Sequence, residues 1–276
     1  MSNLNAIPKA TPLSERNLVS TPFFWLFYKE VRRFWRVKGQ TLFSPLIQSS
    51  LYLLIFGVSL GKSVTMSNGF TYMEFLIPGL IMMSALNNSF QNCASTIVTS
   101  RFHGDIQDLK IVPLSDIQII SAFALGGLVR GFAVASVTLF TCEFFFYFTQ
   151  GRFMPIQHPE IFLLFLVLGS LAFGFLGVTT GFWAKGFEHV NAIGGFVLLP
   201  LLYLGGVFYS IETLHPFWQA ISKANPLLYF VNGVRYGMLG ESDVSLTKAL
   251  AVSAGAVIVF MYTGVNRFRN GQFTRW

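Results

Sequence analysis

Charge is scarce in this sequence. Only 11% of its 276 residues are charged, whereas about 25% is usual in a soluble domain, and 53% are hydrophobic. This balance excludes an ordinary soluble enzyme or binding domain and predicts an integral membrane protein with one membrane domain. Cysteine is scarce as well: Cys93 and Cys142 lie in apolar runs, and their spacing indicates neither a metal site nor a disulfide.

Motifs for catalysis and nucleotide binding are missing too. The four histidines are scattered without a metal-ligand spacing, and no nucleophile, base and carboxylate share one membrane depth. The stretch "FGVSLGKS" (56–63) approaches a phosphate-binding loop, but Gly57 and Gly61 are separated by three residues instead of four. The first residues also lack the apolar core of a signal peptide. We expect a protein that is not an enzyme, binds no metal or cofactor, and inserts through internal spans.

Long apolar runs, in contrast, are plentiful. Each of six is long enough to cross a bilayer, which takes about 20 residues. The runs are continuously apolar, which favours helices over a membrane barrel. We predict an all-α membrane protein with six transmembrane helices, near 41–61, 75–99, 117–149, 159–183, 192–210 and 247–267. This membrane domain would cover 41–276 and follow a cytoplasmic N-terminal segment, 1–40.

Lysine and arginine are unevenly distributed over the connections. With six spans, both termini share a side with the second–third and fourth–fifth connections, and most of the basic residues lie on that side. Such an excess is typical of the cytoplasmic side, so both termini are predicted to be cytoplasmic. The net charge of +7 then records orientation and requires no nucleic acid partner.

The segment before the first span, "TPFFWLFYKEVRRFWRVKGQ" (21–40), combines aromatic and basic residues. At helical spacing an aromatic stripe forms on one side and a basic face on the other. This arrangement predicts an amphipathic interfacial helix in the headgroup layer. The stripe contains Phe24, Phe27, Tyr28, Val31, Phe34 and Trp35, and the basic face contains Lys29, Arg32, Arg33 and Arg36.

The connection between the fifth and sixth spans contains two apolar segments separated by Asn225-Pro226. Each segment is too short to cross a bilayer. We predict a re-entrant hairpin of two helices, about 214–240, that dips into the outer leaflet. Backbone at that depth must be satisfied by protein, so the hairpin, which includes Arg235, is expected to pack on other spans.

Polar side chains run through the predicted second span, where they need partners. They either bond to neighbouring helices or line a translocation path at a subunit seam, and both interpretations stay open. These residues are Asn87, Asn88, Gln91, Asn92 and Ser95. Arg130 and Glu143 lie in the third span on different helix faces, and we expect Arg130 to have a structural role near the inner interface.

One short connection is unusually rich in charge. The stretch "SRFHGDIQDLKIVPLSDIQII" (100–120) lies between two apolar runs. Its helix-like first part ends at a proline, Pro113. Composition alone allows an ordinary solvated loop or a cytoplasmic docking helix. Its charged and titratable residues are Arg101, His103, Asp105, Asp108 and Lys110.

Five segments together resemble the permease, or membrane subunit, of ABC type-2 transporters, and look closest to the multidrug or polysaccharide-type subgroup. They are "FLIPGLIMMS" (75–84), "IVPLS" (111–115), "GGLVRG" (126–131), "PLLYLGGVFYS" (200–210) and "NPLLYFVNGVRYG" (225–237). The resemblance implies a bacterial inner-membrane location and export of an amphipathic, lipid-linked, polysaccharide or drug-like substrate. ATP and Mg²⁺ would be bound by a separate ATPase and not by this chain.

The resemblance also implies where the partners bind. A coupling helix at about 101–112 would dock on the cytoplasmic ATPase, and further contacts would come from the interfacial helix and from the connection around Lys185, Glu188 and His189. Two permease copies and two ATPases would form the transporter within membrane lipid, with the path at the permease seam. The stretch "GDIQDLKIVP" departs from the "GTLE" of many members, although Gly104 and Asp108 remain. The implied coupling residues are Arg101, His103, Asp105, Asp108, Lys110 and Pro113, and those of the interfacial helix are Phe27, Val31, Arg32, Arg33 and Trp35.

Two alternatives come from other classes. An ATP-independent channel or secondary carrier should have buried ion-coupling carboxylates or repeated spans, whereas the spans offer Glu143 and no convincing repeat. A scaffold that transports nothing would bind an ATPase without responding to lipid or solute.

Overall fold

The computed structural model describes residues 15–60 and 69–271, and every regular element in these two ranges is helical. The all-α prediction is therefore confirmed for this part of the chain. Residues 1–14 of the predicted N-terminal segment, and Gly61 at the end of the predicted first span, lie outside the described residues. The α-helices are α1 (Glu15–Arg36), α2 (Lys38–Tyr52), α3 (Tyr72–His103), α4 (Asp105–Leu109), α5 (Asp116–Gln150), α6 (Pro159–Trp183), α7 (Phe187–Ile193), α8 (Leu199–Tyr203), α9 (Pro216–Ala224), α10 (Pro226–Leu239) and α11 (Leu246–Asn270).

Three shorter elements join these helices. A π-helical segment, Leu53–Leu60, continues α2, and a second one, Gly194–Leu198, joins α7 to α8. A 3₁₀ turn, Ile211–Thr213, precedes α9. Helical backbone thus continues from Phe187 to Tyr203 without interruption.

Local sequence explains where two long helices begin and end. The Thr71 hydroxyl accepts a hydrogen bond from the backbone N–H of Glu74 at the start of α3, and the Glu74 carboxylate accepts one from Thr71 in return. Ser115 and Gln118 form the same kind of capping box at the start of α5. Helix α3 ends at Gly104, whose φ of 84° is unfavourable for residues with a side chain. Because Gly104 also precedes α4, this one residue joins α3 directly to α4.

Helices α3, α5 and α6 form the centre of the bundle. Glycines allow their backbones to approach closely. A Cβ atom at Gly127 of α5 would lie 3.1 Å from the carbonyl oxygen of Ser89, and one at Gly131 would lie 3.0 Å from the carbonyl oxygen of Ala85, both on α3. A larger residue at either position would therefore push α5 away from α3.

The remaining helices surround this centre and define two ends. Helices α1 and α2 pack on α5, while α10 and α11 pack on α6. Helix α1 also reaches α4, since the side chains of Lys29 and Asp105 are in contact; we call this end of the bundle the α4 end. We call the opposite end, where α9 and α10 lie, the hairpin end.

Within residues 15–60 and 69–271, four helices are long and apolar enough to cross a membrane: Thr41–Ser59, α5, α6 and α11. They correspond to the predicted first, third, fourth and sixth spans. The predicted second span, 75–99, lies within the 32-residue helix α3, which is long but more polar. Four of the six predicted spans are thus supported by both length and apolar character.

The fifth predicted span has different bounds. The apolar run at 192–210 was expected to be one helix, but the helical backbone extends from Phe187 to Tyr203, a shorter apolar helix. Its C-terminal limit has a local cause, because Gly205-Gly206 follows and Gly206 has a φ of 73°. At the other end, Glu188 and His189 were expected in the preceding connection and instead lie in the first turn of α7.

The predicted pair of short helices after the fifth span is present as α9 and α10, separated by Asn225. The Asn225 side chain accepts a hydrogen bond from the N–H of Leu227 at 3.1 Å and donates one to the Leu201 carbonyl oxygen at 2.7 Å. Pro226 occupies the first position of α10, where its missing N–H costs nothing. Helix α10 is largely buried, whereas Phe217 and Trp218 of α9 are exposed.

Candidate functional site

The predicted coupling helix is shorter than expected. Instead of covering about 101–112, α4 comprises the five residues Asp105–Leu109, and Arg101 and His103 belong to the last turn of α3. The glycine at position 104 causes the difference, because its left-handed backbone ends one helix before the next begins. Ile106 is fully buried and anchors α4 against the bundle.

Arg101 does not lie on an exposed docking surface. It is 8% exposed, and its Nη1 donates to the carbonyl oxygens of Phe182 at 3.1 Å and Ala184 at 2.6 Å. These carbonyls lie at the end of α6, where the last turn lacks helical donors. Arg101 therefore ties the end of α3 to the end of α6, and its predicted part in coupling to an ATPase stays a prediction.

The other predicted coupling residues lie nearer the surface. The ring of His103 bonds to the Thr99 carbonyl oxygen through Nδ1 at 2.9 Å, and Lys110 donates to the Gly271 carbonyl oxygen at 3.2 Å. Asp105 contacts Lys29 of α1 at 3.4 Å. Asp108 and Pro113 are exposed. Among the predicted coupling residues, some therefore bond to other parts of the chain, whereas Asp108 is exposed and provides an acidic group at the surface.

Apolar side chains complete this surface, and the sequence interpretation did not single them out. Ile111 is 84% exposed, and the exposed rings of Phe102 and Phe187 stack with their centroids 6.2 Å apart. Trp183 is exposed at the end of α6. We name the set of Phe102, Asp108, Ile111 and Phe187 the α4 surface. The sequence feature that could have revealed this surface is the presence of large apolar residues inside or beside a charged connection.

Helix α1 packs differently from the predicted interfacial helix. Leu26 and Phe34 are buried against the bundle, and Phe27 and Val31 are half-buried. Trp35 is exposed together with Phe24 and Tyr28 of the predicted stripe, and so is Arg32. The apolar stripe is thus divided between a face that contacts the bundle and a face that does not.

Glu30 lies at the centre of the buried face and is 1% exposed. Its Oε2 accepts a hydrogen bond from the Thr96 hydroxyl of α3 at 3.1 Å and pairs with Nε of Arg33 at 3.4 Å. Burial raises the pKa of the Glu30 carboxyl above its ordinary value, and the neighbouring Arg33 guanidinium offsets only part of that effect. The sequence interpretation missed Glu30, although its spacing from Leu26 and Phe34 places it on the same helix face.

Arg33 was expected on a solvated basic face and instead points into the bundle. Its Nη2 donates to Asn92 of α3 twice, to the carbonyl oxygen at 2.9 Å and to Oδ1 at 3.1 Å. The buried carboxylate of Glu30 supplies the reason, since it holds the guanidinium on that side. We name Glu30, Arg33, Asn92 and Thr96 the α1–α3 junction.

The polar residues of the predicted second span fall into two groups. Asn88 accepts a hydrogen bond from Arg130 of α5 at 3.3 Å, Asn92 binds Arg33, and Ser95 donates to the Gln91 carbonyl oxygen at 2.6 Å. Interhelix bonding thus accounts for Asn88 and Asn92. The bond from Arg130 joins α5 to α3 and agrees with the structural role expected for Arg130, whose position near the inner interface stays a prediction. The second group is Asn87, beside Gln48 and Tyr52 of α2 in a narrow cleft, and Gln91, whose amide faces Gly194.

At the hairpin end, Arg235 connects α10 to three other parts of the chain. It is 2% exposed, and its Nη2 donates to the Gly206 carbonyl oxygen at 2.7 Å. Its guanidinium lies 3.7 Å from the ring centroid of Phe75 at the start of α3, and Nη1 is 4.0 Å from the Asp243 carboxylate. The predicted packing of the hairpin on other helices is observed for α10.

Comparison with known proteins places this arrangement in a family. The model of the ABC-2 type transporter family matches residues 21–239, which include α2 to α10 and most of α1. The chain therefore belongs to the ABC-2 type transporter family. It is 39% identical over 237 residues to the inner membrane transport permease YadH of Escherichia coli strain K12, a match that covers 85% of this chain and 90% of YadH.

Two more distant relatives have names that indicate a function. The daunorubicin resistance ABC transporter permease DrrB1 of Streptomyces coeruleorubidus is 24% identical, with 82% of this chain and 77% of DrrB1 covered. Nodulation protein J of Neorhizobium galegae is 23% identical, with 85% and 87% covered. The chain is thus a multi-pass inner-membrane permease, the membrane component of an ABC transporter, and such permeases generally work with a partner ATPase.

Proposed function

We propose that this protein is the permease of an ATP-driven exporter in which ATPase subunits dock on the α4 surface. The observation that carries the proposal is the direct connection of α4 to α3 through Gly104, together with the α1–α3 junction that joins α3 to α1. A force on α4 would therefore reach two long helices at once. Both termini would lie on the ATPase side, in the cytoplasm.

The composition of the α4 surface suits a protein partner. Three exposed apolar residues, Phe102, Ile111 and Phe187, provide apolar surface that a partner can bury. The charge of Asp108 would help to fix the orientation of that partner. Ile106 and Arg101 hold the surface in place from below. Arg32 and Arg36, exposed on α1, would add a basic contact beside it.

The α1–α3 junction would carry movement from the docking site into the bundle. Glu30 and Arg33 bind α3 at Thr96 and Asn92, more than one helical turn before α4. Because the Glu30–Thr96 bond is buried and the Arg33–Asn92 bonds are half-buried, α1 and α3 would move together and not slide past each other. Closure of two ATPases would thus be converted into a displacement of whole helices.

The translocation path would lie between two copies of this chain. Helix α2 and its π-helical extension expose four large apolar residues, Phe43, Ile47, Leu51 and Leu54. Only 28% of the apolar span in Thr41–Ser59 is buried within one copy. Asn87 faces this side of the bundle, beside Gln48 and Tyr52 of α2. The substrate would be an amphipathic, lipid-linked, polysaccharide or drug-like molecule, in keeping with the daunorubicin resistance named for DrrB1.

The proposal assigns nucleotide chemistry to the partner. ATP and Mg²⁺ would bind the two ATPase subunits, and this chain would hold no cofactor. At the hairpin end, α9 and α10 would form a re-entrant pair in the outer leaflet, with Asn225, Pro226 and Arg235 fixing their geometry. Exposed Phe217 and Trp218 on α9 suit contact with lipid headgroups at that depth.

Coexpression with the cognate ATPase tests the docking site. A variant with Asp108→Arg and Ile111→Asp should lose most copurifying ATPase and most lipid-stimulated ATP hydrolysis, because it reverses the charge and removes the largest exposed apolar contact of the α4 surface. Glu160→Gln, an exposed change at the start of α6, is the matched control. Unchanged assembly and stimulation in the double variant would contradict docking on this surface.

Transport by the purified chain alone would favour the alternative function. In that assay the permease is reconstituted without ATPase and an ion gradient is imposed. An ATP-independent channel or secondary carrier would move solute under these conditions, whereas the proposed permease would move none until ATPase and ATP are added.

A further inference from the structure

A pocket at the hairpin end lies outside every site considered above. It has a volume of about 630 Å³ and is formed by the last turns of α5 and the connection that follows. Its walls are aromatic and aliphatic, with one carboxylate, that of Glu143. The lining includes Phe140, Glu143, Phe144, Tyr147, Phe153 and Ile156.

Glu143 is held in this pocket without a cation from the described residues. Its Oε2 accepts a hydrogen bond from the backbone N–H of Met154 at 3.1 Å, which fixes the carboxylate in place. The nearby Arg152 is committed elsewhere, because its Nη2 pairs with Glu74 at 2.6 Å. Among the ion pairs of residues 15–60 and 69–271, none includes Glu143.

Glu143 is half-buried, and a cation bound beside it would offset the hydration that its carboxylate loses to the apolar walls. The aromatic walls favour the same kind of ligand, because ring faces attract cations. Phe140 and Phe153 are largely exposed, and the rings of Tyr147 and Phe153 stack with centroids 4.8 Å apart. The pocket is also within the size range of small-ligand sites, about 300–1,000 Å³.

The depth of Glu143 suits a lipid headgroup. Helix α5 has 35 residues and is about 52 Å long, which exceeds a hydrocarbon core of about 30 Å. Glu143 lies seven residues before the end of α5, or about 10 Å along its axis. If the excess length is shared between the two ends, the carboxylate lies at the boundary between acyl chains and headgroups.

We propose that this pocket binds a membrane lipid with a primary ammonium headgroup, whose ammonium contacts Glu143 and whose acyl chains lie on Phe140 and Phe153. This inference does not rest on the direction of transport or on the docking of an ATPase. It concerns a lipid that reaches the pocket by diffusion within the leaflet at the hairpin end.

Native mass spectrometry of the full-length protein tests the proposal. The protein is reconstituted in equimolar phosphatidylethanolamine and phosphatidylglycerol with identical acyl chains, extracted, and examined for retained lipid. The wild type should retain phosphatidylethanolamine in preference. Glu143→Gln, which keeps an oxygen acceptor for Met154, should weaken that retention about tenfold, the usual effect of losing a charge-assisted hydrogen bond.

Glu160→Gln is the matched control, because it removes a carboxylate at the same end that is 69% exposed and outside the pocket. It should keep the wild-type preference. Thermal unfolding of both variants checks that they remain folded. Equal retention of the two lipids by the wild type, or an unchanged preference in folded Glu143→Gln, would overturn the proposal.

Discussion

The two ends of the bundle are held together by different kinds of polar contact. At the hairpin end, Arg235 and Asn225 are buried and bond to backbone carbonyls of the chain between α8 and α9 or within α8. At the α4 end, the contact between Lys29 and Asp105 is exposed, with 57% and 43% of the two side chains accessible. Buried bonds resist rearrangement, while exposed ion pairs contribute little and exchange with water. The comparison indicates a fixed hairpin end and an adjustable surface at the α4 end.

The α4 end is itself layered. Its exposed contacts lie over a buried layer in which Arg101 holds α6 and Glu30 binds α3. An adjustable docking surface would therefore rest on a rigid base. The following predictions separate these layers by their effects on stability.

The largest effect is expected for Arg235→Ala. It removes a buried guanidinium and leaves the Gly206 carbonyl and Asp243 without it, which typically costs about 3–5 kcal/mol. Denaturant unfolding in detergent measures the loss. Arg32→Ala, an exposed arginine on α1, is the control, and equal losses for the two variants would remove the contrast between the ends.

A smaller loss is expected for Arg101→Ala. The α6 carbonyls would lose one shared charged donor, the Nη1 group of Arg101, which is worth about 1.5–3 kcal/mol in all. The same unfolding assay applies, with the neighbouring exposed residue changed in His103→Ala as the control. If Arg101→Ala behaved like His103→Ala, Arg101 would belong to the exposed layer after all.

The buried carboxyl group of Glu30 is expected to make the stability of the protein depend on pH. Because its folded pKa is raised, its contribution to stability is fully present below the unfolded pKa and is lost as pH rises through the folded value. Glu30→Gln should remove this part of the pH dependence while keeping an acceptor for Thr96. Thermal stability of both proteins across this pH range is the measurement, and parallel curves would argue against a raised pKa.

The smallest effect is expected for the Lys29–Asp105 pair. A double-mutant cycle with Lys29→Met and Asp105→Asn should give a coupling below about 1 kcal/mol that decreases as salt is added. Coupling that is larger and insensitive to salt would show that the α4 end is held as firmly as the hairpin end.

Much of the helical pattern was predictable from the sequence, for identifiable reasons. The predicted fourth span, 159–183, coincides with α6, and the predicted third, 117–149, differs from α5 by one residue at each end. Continuous apolar runs bounded by caps and turns are strong local signals. The predicted end of the fifth span was wrong because Gly205-Gly206 stops the helix within an apolar run.

The candidate site was less predictable. Its location was recognised by its unusual charge, but the inward direction of two side chains was not. Arg33 was assigned to the basic face of the interfacial helix and Arg101 to the coupling helix, and both point into the bundle. Their partners are backbone carbonyls of α6 and a side chain of α3, far away in sequence. Periodicity reports which face a residue occupies, and it does not report what lies opposite that face.

By itself the sequence determined that this is an all-α membrane protein with a charged connection before its third span, because composition, periodicity and capping residues act locally. Its similarity to ABC-2 permeases was also contained in the sequence. Only the tertiary structure decided that Glu30 and Arg33 join α1 to α3, and that Glu143 lies in an aromatic pocket without a described counter-charge. Burial and pairing depend on which helices meet, and those contacts form between residues that are distant along the chain.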